Sequence, residues 1–141
     1  MAKKALFAAI LFSVVHLTVT VLMCVFALPG LGSTISGLEF ALWSAVPGAV
    51  LSFALVFFLC WSQLESGTIP FSAWMGVAVS LAGLLLDAVL LNSAISQDPA
   101  GSLLQIVMGA LLLAGWGVIG AGALMGYGIY GVLKRYPFKG A

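Results

Sequence analysis

The sequence predicts an all-α integral membrane protein, with four transmembrane helices in a compact bundle and both the N and C termini in the cytoplasm. Three observations carry this prediction. Hydrophobic residues make up 63% of the chain and charged residues only 6%, which is far from the usage of soluble globular domains. The apolar residues fall into four long stretches separated by short polar or glycine-rich turns. The basic residues lie at the two ends of the chain, and Lys and Arg accumulate on the cytoplasmic side of membranes.

The 141 residues are enough for four spans with short connections and leave no room for a separate soluble domain. We therefore predict a single transmembrane domain with helices at about 5–28, 40–62, 71–95 and 103–133. The first apolar run is longer than the ~7 to 15 residues of a signal peptide, so we treat it as a retained helix. Residues suited to anchoring at the headgroup level flank the predicted cytoplasmic loop and close the chain: Trp61, Trp74, Lys134, Arg135 and Lys139.

An acidic residue, Asp87, lies well inside the third apolar stretch. On a helix it shares one face with Gly76, Ser80 and Gly83, because residues three and four apart lie above one another. Small residues mark the places where another helix approaches closely within lipid. We therefore expect Asp87 to face protein rather than acyl chains, since a carboxylate exposed to hydrocarbon is costly.

The single histidine, His16, is the partner that the sequence offers to this acid. At ~1.5 Å per residue it lies ~16 Å from the cytoplasmic end of its helix, and Asp87 lies ~20 to 24 Å from the corresponding end of its own. The two side chains can therefore meet. Such a pair can bind a proton or a cation. The alternative is a purely structural hydrogen bond between helices, with Ser80 or Asn92 among the other partners.

Small residues also line faces of the other helices. In the first helix the face carries Ala9, Ser13, His16, Thr20, Cys24 and Ala27, and in the second it carries Ala41, Ala45, Gly48 and Ser52. The fourth helix has two such faces, one with Gly115, Gly122 and Gly126, and one that includes Gly117, Gly128 and Gly131. Two close-packing faces need two partners. These are either sister helices in the bundle, or one sister helix and a second copy or another subunit.

No catalytic machinery is visible in the sequence. One histidine cannot supply the ligands of a zinc site or a bis-histidine haem. Cys24 lies near the predicted outer end of the first helix and Cys60 near the predicted inner end of the second. They are a membrane apart and form no Cys-x-x-Cys pair, so a disulfide centre is not expected. The chain has neither a phosphate-binding loop nor a Ser/His/Asp set. We expect no cofactor, no metal and no nucleic-acid partner, and the sequence favours a non-enzymatic role.

Three functions remain, and an intramembrane enzyme or quinone-binding subunit has the least support among them. The first is a small non-enzymatic packing or accessory subunit of a membrane assembly, which is a homo-oligomer or a larger complex joined through glycine faces. The second is a small proton- or cation-coupled transporter or channel that uses Asp87 with His16. In either case the partner is a lipid bilayer, and we expect a multi-pass protein of a bacterial-type inner or plasma membrane.

Overall fold

The structure is a computed structural model that describes residues 2–27, 35–65, 73–95, 97–113 and 115–135. The described residues form five α-helices, which are α1 (Ala2–Ala27), α2 (Ile35–Glu65), α3 (Ala73–Ile95), α4 (Pro99–Leu113) and α5 (Gly115–Arg135). The all-α class predicted from the sequence is confirmed.

Three helices are long and apolar enough to cross a membrane. The qualifying stretches are Lys3–Phe26, Ser36–Trp61 and Ala73–Ser93, with mean hydropathies of 2.4, 2.1 and 2.0. At ~1.5 Å per residue, each of them reaches across a hydrocarbon layer of ~30 Å. Helices α4 and α5 qualify only as a pair, and the pair is bent by 57°. The chain is therefore a multi-pass integral membrane protein.

The fourth predicted helix, 103–133, differs from the structure, in which α4 ends at Leu113 and α5 begins at Gly115. Glycine costs ~1 kcal/mol more than alanine inside a helix because it loses the most conformational freedom. Gly115 and Gly117 both lie in the first turn of α5, so helix formation is weakly favoured at this point. Hydropathy, from which one span was predicted, does not register this backbone preference.

Helices α1, α2, α3 and α5 form a closed ring in which α1 and α3 each pack against both α2 and α5, while α4 packs mainly against α3. One apolar cluster joins all four helices of the ring. It contains Ala5, Ala8, Ala9 and Phe12 of α1, Val56 and Cys60 of α2, Val79 of α3 and Ile129 of α5. The alanines allow the α1 backbone to come close to its neighbours, which is how helices associate in lipid.

Glycines set the distance between α3 and α5. A Cβ atom added to Gly76 would overlap the carbonyl oxygen of Gly122 and lie 2.9 Å from the Cα of Gly126. A Cβ added to Gly122 would lie 2.5 Å from the Oγ of Ser80 and 2.7 Å from the carbonyl oxygen of Gly76. Two backbones are in direct contact here, so these glycines pack α5 against α3 within one chain.

A second close contact that depends on a glycine joins α2 to α3. A Cβ added to Gly48 would overlap the Asp87 carboxylate and lie 2.5 Å from the carbonyl oxygen of Gly83. The absence of a side chain at Gly48 therefore lets the acid of α3 reach the backbone of α2. This contact between α2 and α3 positions the Asp87 carboxylate.

Candidate functional site: a buried carboxyl and imidazole

Asp87 and His16 meet in the interior of the helix ring. The Nε2 atom of His16 lies 3.4 Å from Oδ2 of Asp87, and the two side chains are 1% and 6% exposed. The other carboxylate oxygen, Oδ1, accepts a hydrogen bond of 2.6 Å from the backbone N–H of Gly48. One acid on α3 therefore joins α1 and α2.

The Gly48 N–H lies directly after Pro47, which is inside α2. Proline lacks an N–H, and its ring crowds the carbonyl of Trp43 one turn earlier, so the hydrogen-bond ladder of the helix is weakened around it. The Gly48 N–H donates to the Asp87 carboxylate in this weakened stretch. The acid thus has a backbone donor inside the ring of apolar helices, where a carboxylate without a partner is costly.

Gly83 provides the space for the imidazole. A Cβ added to Gly83 would lie 2.7 Å from Cε1 of His16, 2.9 Å from its Nε2 and 2.8 Å from Oγ of Ser52. His16 and Ser52 therefore converge on the backbone of α3 one helical turn before Asp87. Ser13, one turn before His16 on α1, donates a 3.0 Å hydrogen bond to the carbonyl oxygen of Ala49. This bond fixes α1 against α2 beside the pair.

Three polar atoms near the pair are buried and have no hydrogen-bond partner within the described part of the chain. They are Nδ1 of His16, Oγ1 of Thr20 and Oγ of Ser52. Each residue is at least nine-tenths buried, with exposures of 4%, 3% and 0%. Folding alone does not require such groups, because an unsatisfied buried polar atom costs about 1–3 kcal/mol. The site therefore holds more hydrogen-bonding capacity than the helix contacts use.

A small cavity of about 10 Å³ lies against the imidazole, between α1, α3 and α5. His16 and Ser80 are its polar lining residues, and the remaining wall is apolar: Phe12, Val15, Val19, Val118, Ala121, Gly122 and Met125. A volume of this size is close to the minimum for one water molecule, ~10–15 Å³. The polar side chains at its wall are suited to hydrogen bonding such a molecule.

The other predicted polar residues, Ser80 and Asn92, make different contacts: Ser80 lines the cavity beside His16, whereas Asn92 bonds to α4. Ser80 is buried at the α3–α5 crossing, where it lies beside Gly122. Asn92 is also buried, and its Oδ1 accepts a 2.8 Å hydrogen bond from the Ser102 hydroxyl of α4. Asp98 caps the start of that helix by accepting from the N–H of Gly101 at 3.2 Å, which is the usual role of an Asp before a helix. Asn92 thus ties α3 to α4.

Sequence reasoning identified Gly48 and Ser52 only as members of a small-residue face and did not assign them to the acid. The available signal was Pro47 directly before Gly48, because a proline inside an apolar span weakens the helix hydrogen bonds around it and marks a place where a neighbouring helix can contact the backbone. The glycines of the predicted packing faces all lie within the described helices. Gly76, Gly83, Gly122 and Gly126 contact other helices of the same chain, and Gly115 is buried with Leu111 as its nearest neighbour.

The predicted anchors occupy exposed positions. Trp61 and Trp74 are exposed, as are Lys134 and Arg135 in the last turn of α5. The Nζ atom of Lys134 lies over the ring of Tyr130, 5.8 Å from its centroid. Lys139 lies outside the described residues.

Within the described ranges, no three His, Cys, Asp or Glu side chains converge as metal ligands would. Comparison with protein-family models, with curated proteins and with solved structures found no match to this chain.

Proposed function

We propose that this protein is a small membrane transporter or channel in which Asp87, together with His16, binds and releases a proton. The observation that supports the proposal is the buried contact of 3.4 Å between His16 Nε2 and Asp87 Oδ2 inside a ring of apolar helices. An ionisable group within a membrane span costs ~2.5 to 3.5 kcal/mol on insertion scales, and such groups commonly mark proton or ion pathways.

A proton fits this arrangement better than a bound metal cation. Oδ2 of Asp87 faces an imidazole nitrogen, and both a carboxyl and an imidazole can accept and donate a proton. When a proton moves from His16 to Asp87, an ion pair becomes a neutral pair with no change in total charge.

The test is proton flux in proteoliposomes that contain a pH-sensitive dye, driven by a potassium diffusion potential. Asp87→Asn should abolish flux while the protein still folds, because asparagine keeps an oxygen that accepts from the Gly48 N–H but cannot ionise. Ser13→Ala is the matched control. It removes a hydrogen bond from the same α1–α2 contact without touching an ionisable group, so its flux should stay near that of the wild type. Unchanged flux in Asp87→Asn would reject the proposal.

We further propose four membrane crossings, with the bent pair α4 and α5 forming the fourth, and with both termini in the cytoplasm of a bacterial-type inner or plasma membrane. The support is the placement of the basic residues. Lys3, Lys4, Lys134, Arg135 and Lys139 all lie at the two ends of the chain, and the excess of Lys and Arg marks the cytoplasmic side. An even number of crossings brings the two ends together.

A packing or accessory role in a membrane assembly is the second candidate, and it now depends on a different surface. Gly122 and Gly126 are occupied by α3, whereas Cβ atoms added to Gly109 and Gly120 would meet nothing within 4 Å. Near them Leu112 and Trp116 are 66% and 80% exposed. If this surface holds a second copy or another subunit, Gly120→Leu should shift the protein to a smaller species in mild detergent. Identical migration of Gly120→Leu and the wild-type protein would contradict this role.

A further inference from the structure

We propose that the C-terminal end of α5 binds one anionic phospholipid of the cytoplasmic leaflet. The proposed site is a groove of about 690 Å³ that is lined by Tyr127, Gly128, Tyr130, Gly131, Val132, Lys134 and Arg135. It lies apart from the buried Asp87 pair, so the inference holds whether or not that pair carries protons, while the choice of the cytoplasmic leaflet rests on the proposed topology. The headgroup would lie at the basic end of the groove, and the upper part of an acyl chain would lie along its glycines.

The charge of the groove selects a negative ligand. Lys134 and Arg135 are both exposed, and none of the seven lining residues is acidic. The Lys134 ammonium lies over the Tyr130 ring at 5.8 Å from the centroid, and this cation–π contact favours one position of a flexible side chain. Arg135 adds a planar group that can hold a phosphate through two parallel hydrogen bonds. Two exposed cations on one helix end, one of them held over an aromatic ring, can bind a phosphate.

The floor of the groove favours a lipid over a free phosphate ion. Among the residues that the structure describes, Cβ atoms added to Gly128 and Gly131 would meet nothing within 4 Å, so these neighbours leave the α5 backbone uncovered. Tyr127 on the rim is 71% exposed, and tyrosines are common at the level of lipid headgroups. Basic pockets on the cytoplasmic side of membrane helices are known to hold anionic headgroups. A free ion would use the cations and leave the apolar floor uncovered, whereas a phospholipid covers both.

Lipid retention can be measured by native mass spectrometry of the whole protein, released from mild detergent micelles that contain either phosphatidylglycerol or phosphatidylcholine with the same acyl chains. We expect wild-type protein to retain one phosphatidylglycerol in preference to phosphatidylcholine. The double variant Lys134→Gln/Arg135→Gln should lose roughly 30-fold in affinity, because each basic residue near a membrane surface contributes to binding of anionic lipid. The matched control is Lys3→Gln/Lys4→Gln, which removes the same charge from the other end of the chain and should retain the lipid.

A second variant tests the groove independently of charge. Gly131→Leu fills open space while leaving Lys134 and Arg135 in place, so it should fold normally and still lose most of the bound phosphatidylglycerol. Equal retention in the two charge variants, or full retention in Gly131→Leu, would overturn the proposal in favour of unspecific attraction to the basic ends. Complete displacement of the lipid by inorganic phosphate, or loss of a dimer in Gly131→Leu, would overturn it in favour of a free anion or a second copy.

Discussion

At the scale of single residues, Asp87 has a structural role and a chemical role that can be separated. Its Oδ1 accepts the Gly48 N–H at 2.6 Å, a contact that any acceptor oxygen of the same size can provide. Its Oδ2 faces His16, and there the ability to carry charge is what matters. Asparagine replaces the first role and removes the second, whereas alanine removes both.

This separation predicts different effects on stability. Asp87→Asn should change the free energy of unfolding by less than about 1 kcal/mol, because the bond from Gly48 is retained. Asp87→Ala should lower it by about 1–3 kcal/mol, because a buried N–H loses its acceptor. Unfolding in mixed micelles by added dodecyl sulfate, followed by circular dichroism, measures both values. Equal losses in the two variants would show that the contact with Gly48 contributes little.

The acid and its setting could be predicted from the sequence, since an aspartate in an apolar run among glycines is visible without any structure. Its contact with Gly48 could not. That contact depends on Pro47 lying at the same depth as Asp87 on a neighbouring helix, and depth along two antiparallel spans is known from the sequence only to within about a turn. An uncertainty of one turn, ~5 Å, decides whether two side chains on neighbouring helices touch. The sequence therefore shows that such a contact is possible but not that it forms.

At the scale of helices, glycine has three different roles in α5. Gly122 brings the helix into backbone contact with α3, Gly120 has nothing within 4 Å of an added Cβ, and Gly115 begins the helix after the break from α4. The sequence shows seven glycines in these 21 residues but does not show which face each will occupy. The rotation of α5 about its own axis decides that, and it is set by tertiary packing.

Gly122 and Gly120 lie on different faces of α5, so a glycine-to-alanine substitution should affect stability differently at the two positions. Gly122→Ala should destabilise the bundle by about 1–3 kcal/mol, because its methyl group would lie 2.5 Å from the Oγ of Ser80 and 2.7 Å from the carbonyl oxygen of Gly76. Gly120→Ala adds the same group to the same helix in open space and should change stability by no more than about 1 kcal/mol. Unfolding in mixed micelles compares them. If Gly122→Ala left the free energy of unfolding unchanged, Gly122 would not lie in the α3–α5 contact.

At the scale of the whole molecule, the distribution of polar and apolar side chains is the reverse of that in a water-soluble protein. The buried polar residues are His16, Thr20, Ser52, Ser80, Asp87 and Asn92, while large apolar side chains such as Trp43, Phe58 and Leu124 are 75%, 69% and 75% exposed. A lipid solvent favours this arrangement, because it accepts apolar surface and penalises unpaired polar groups. The ring of helices therefore shields the Asp87 pair from the acyl chains.

The orientation of this ring in the membrane follows from the path of the last two helices. If the pair α4 and α5 crosses the bilayer as one bent span, the two ends of the chain lie on the same side, as the positive-inside rule requires. If the pair instead enters and leaves on one side, the C-terminal end of α5 faces outward. Hydropathy predicts both arrangements equally well, because each buries the same apolar residues.

Cysteine labelling on intact cells separates the two arrangements. In a background with Cys24→Ala and Cys60→Ala, single cysteines are introduced at Lys3, at Gln97 in the exposed turn before α4, and at Lys134. A membrane-impermeant maleimide should label Gln97→Cys from outside, while Lys3→Cys and Lys134→Cys should react only after the membrane is permeabilised. Labelling of Lys134→Cys from outside would instead make the pair re-entrant. It would also place the two basic residues of α5 in the outer leaflet, where the surface charge that favours them on the cytoplasmic side is weaker.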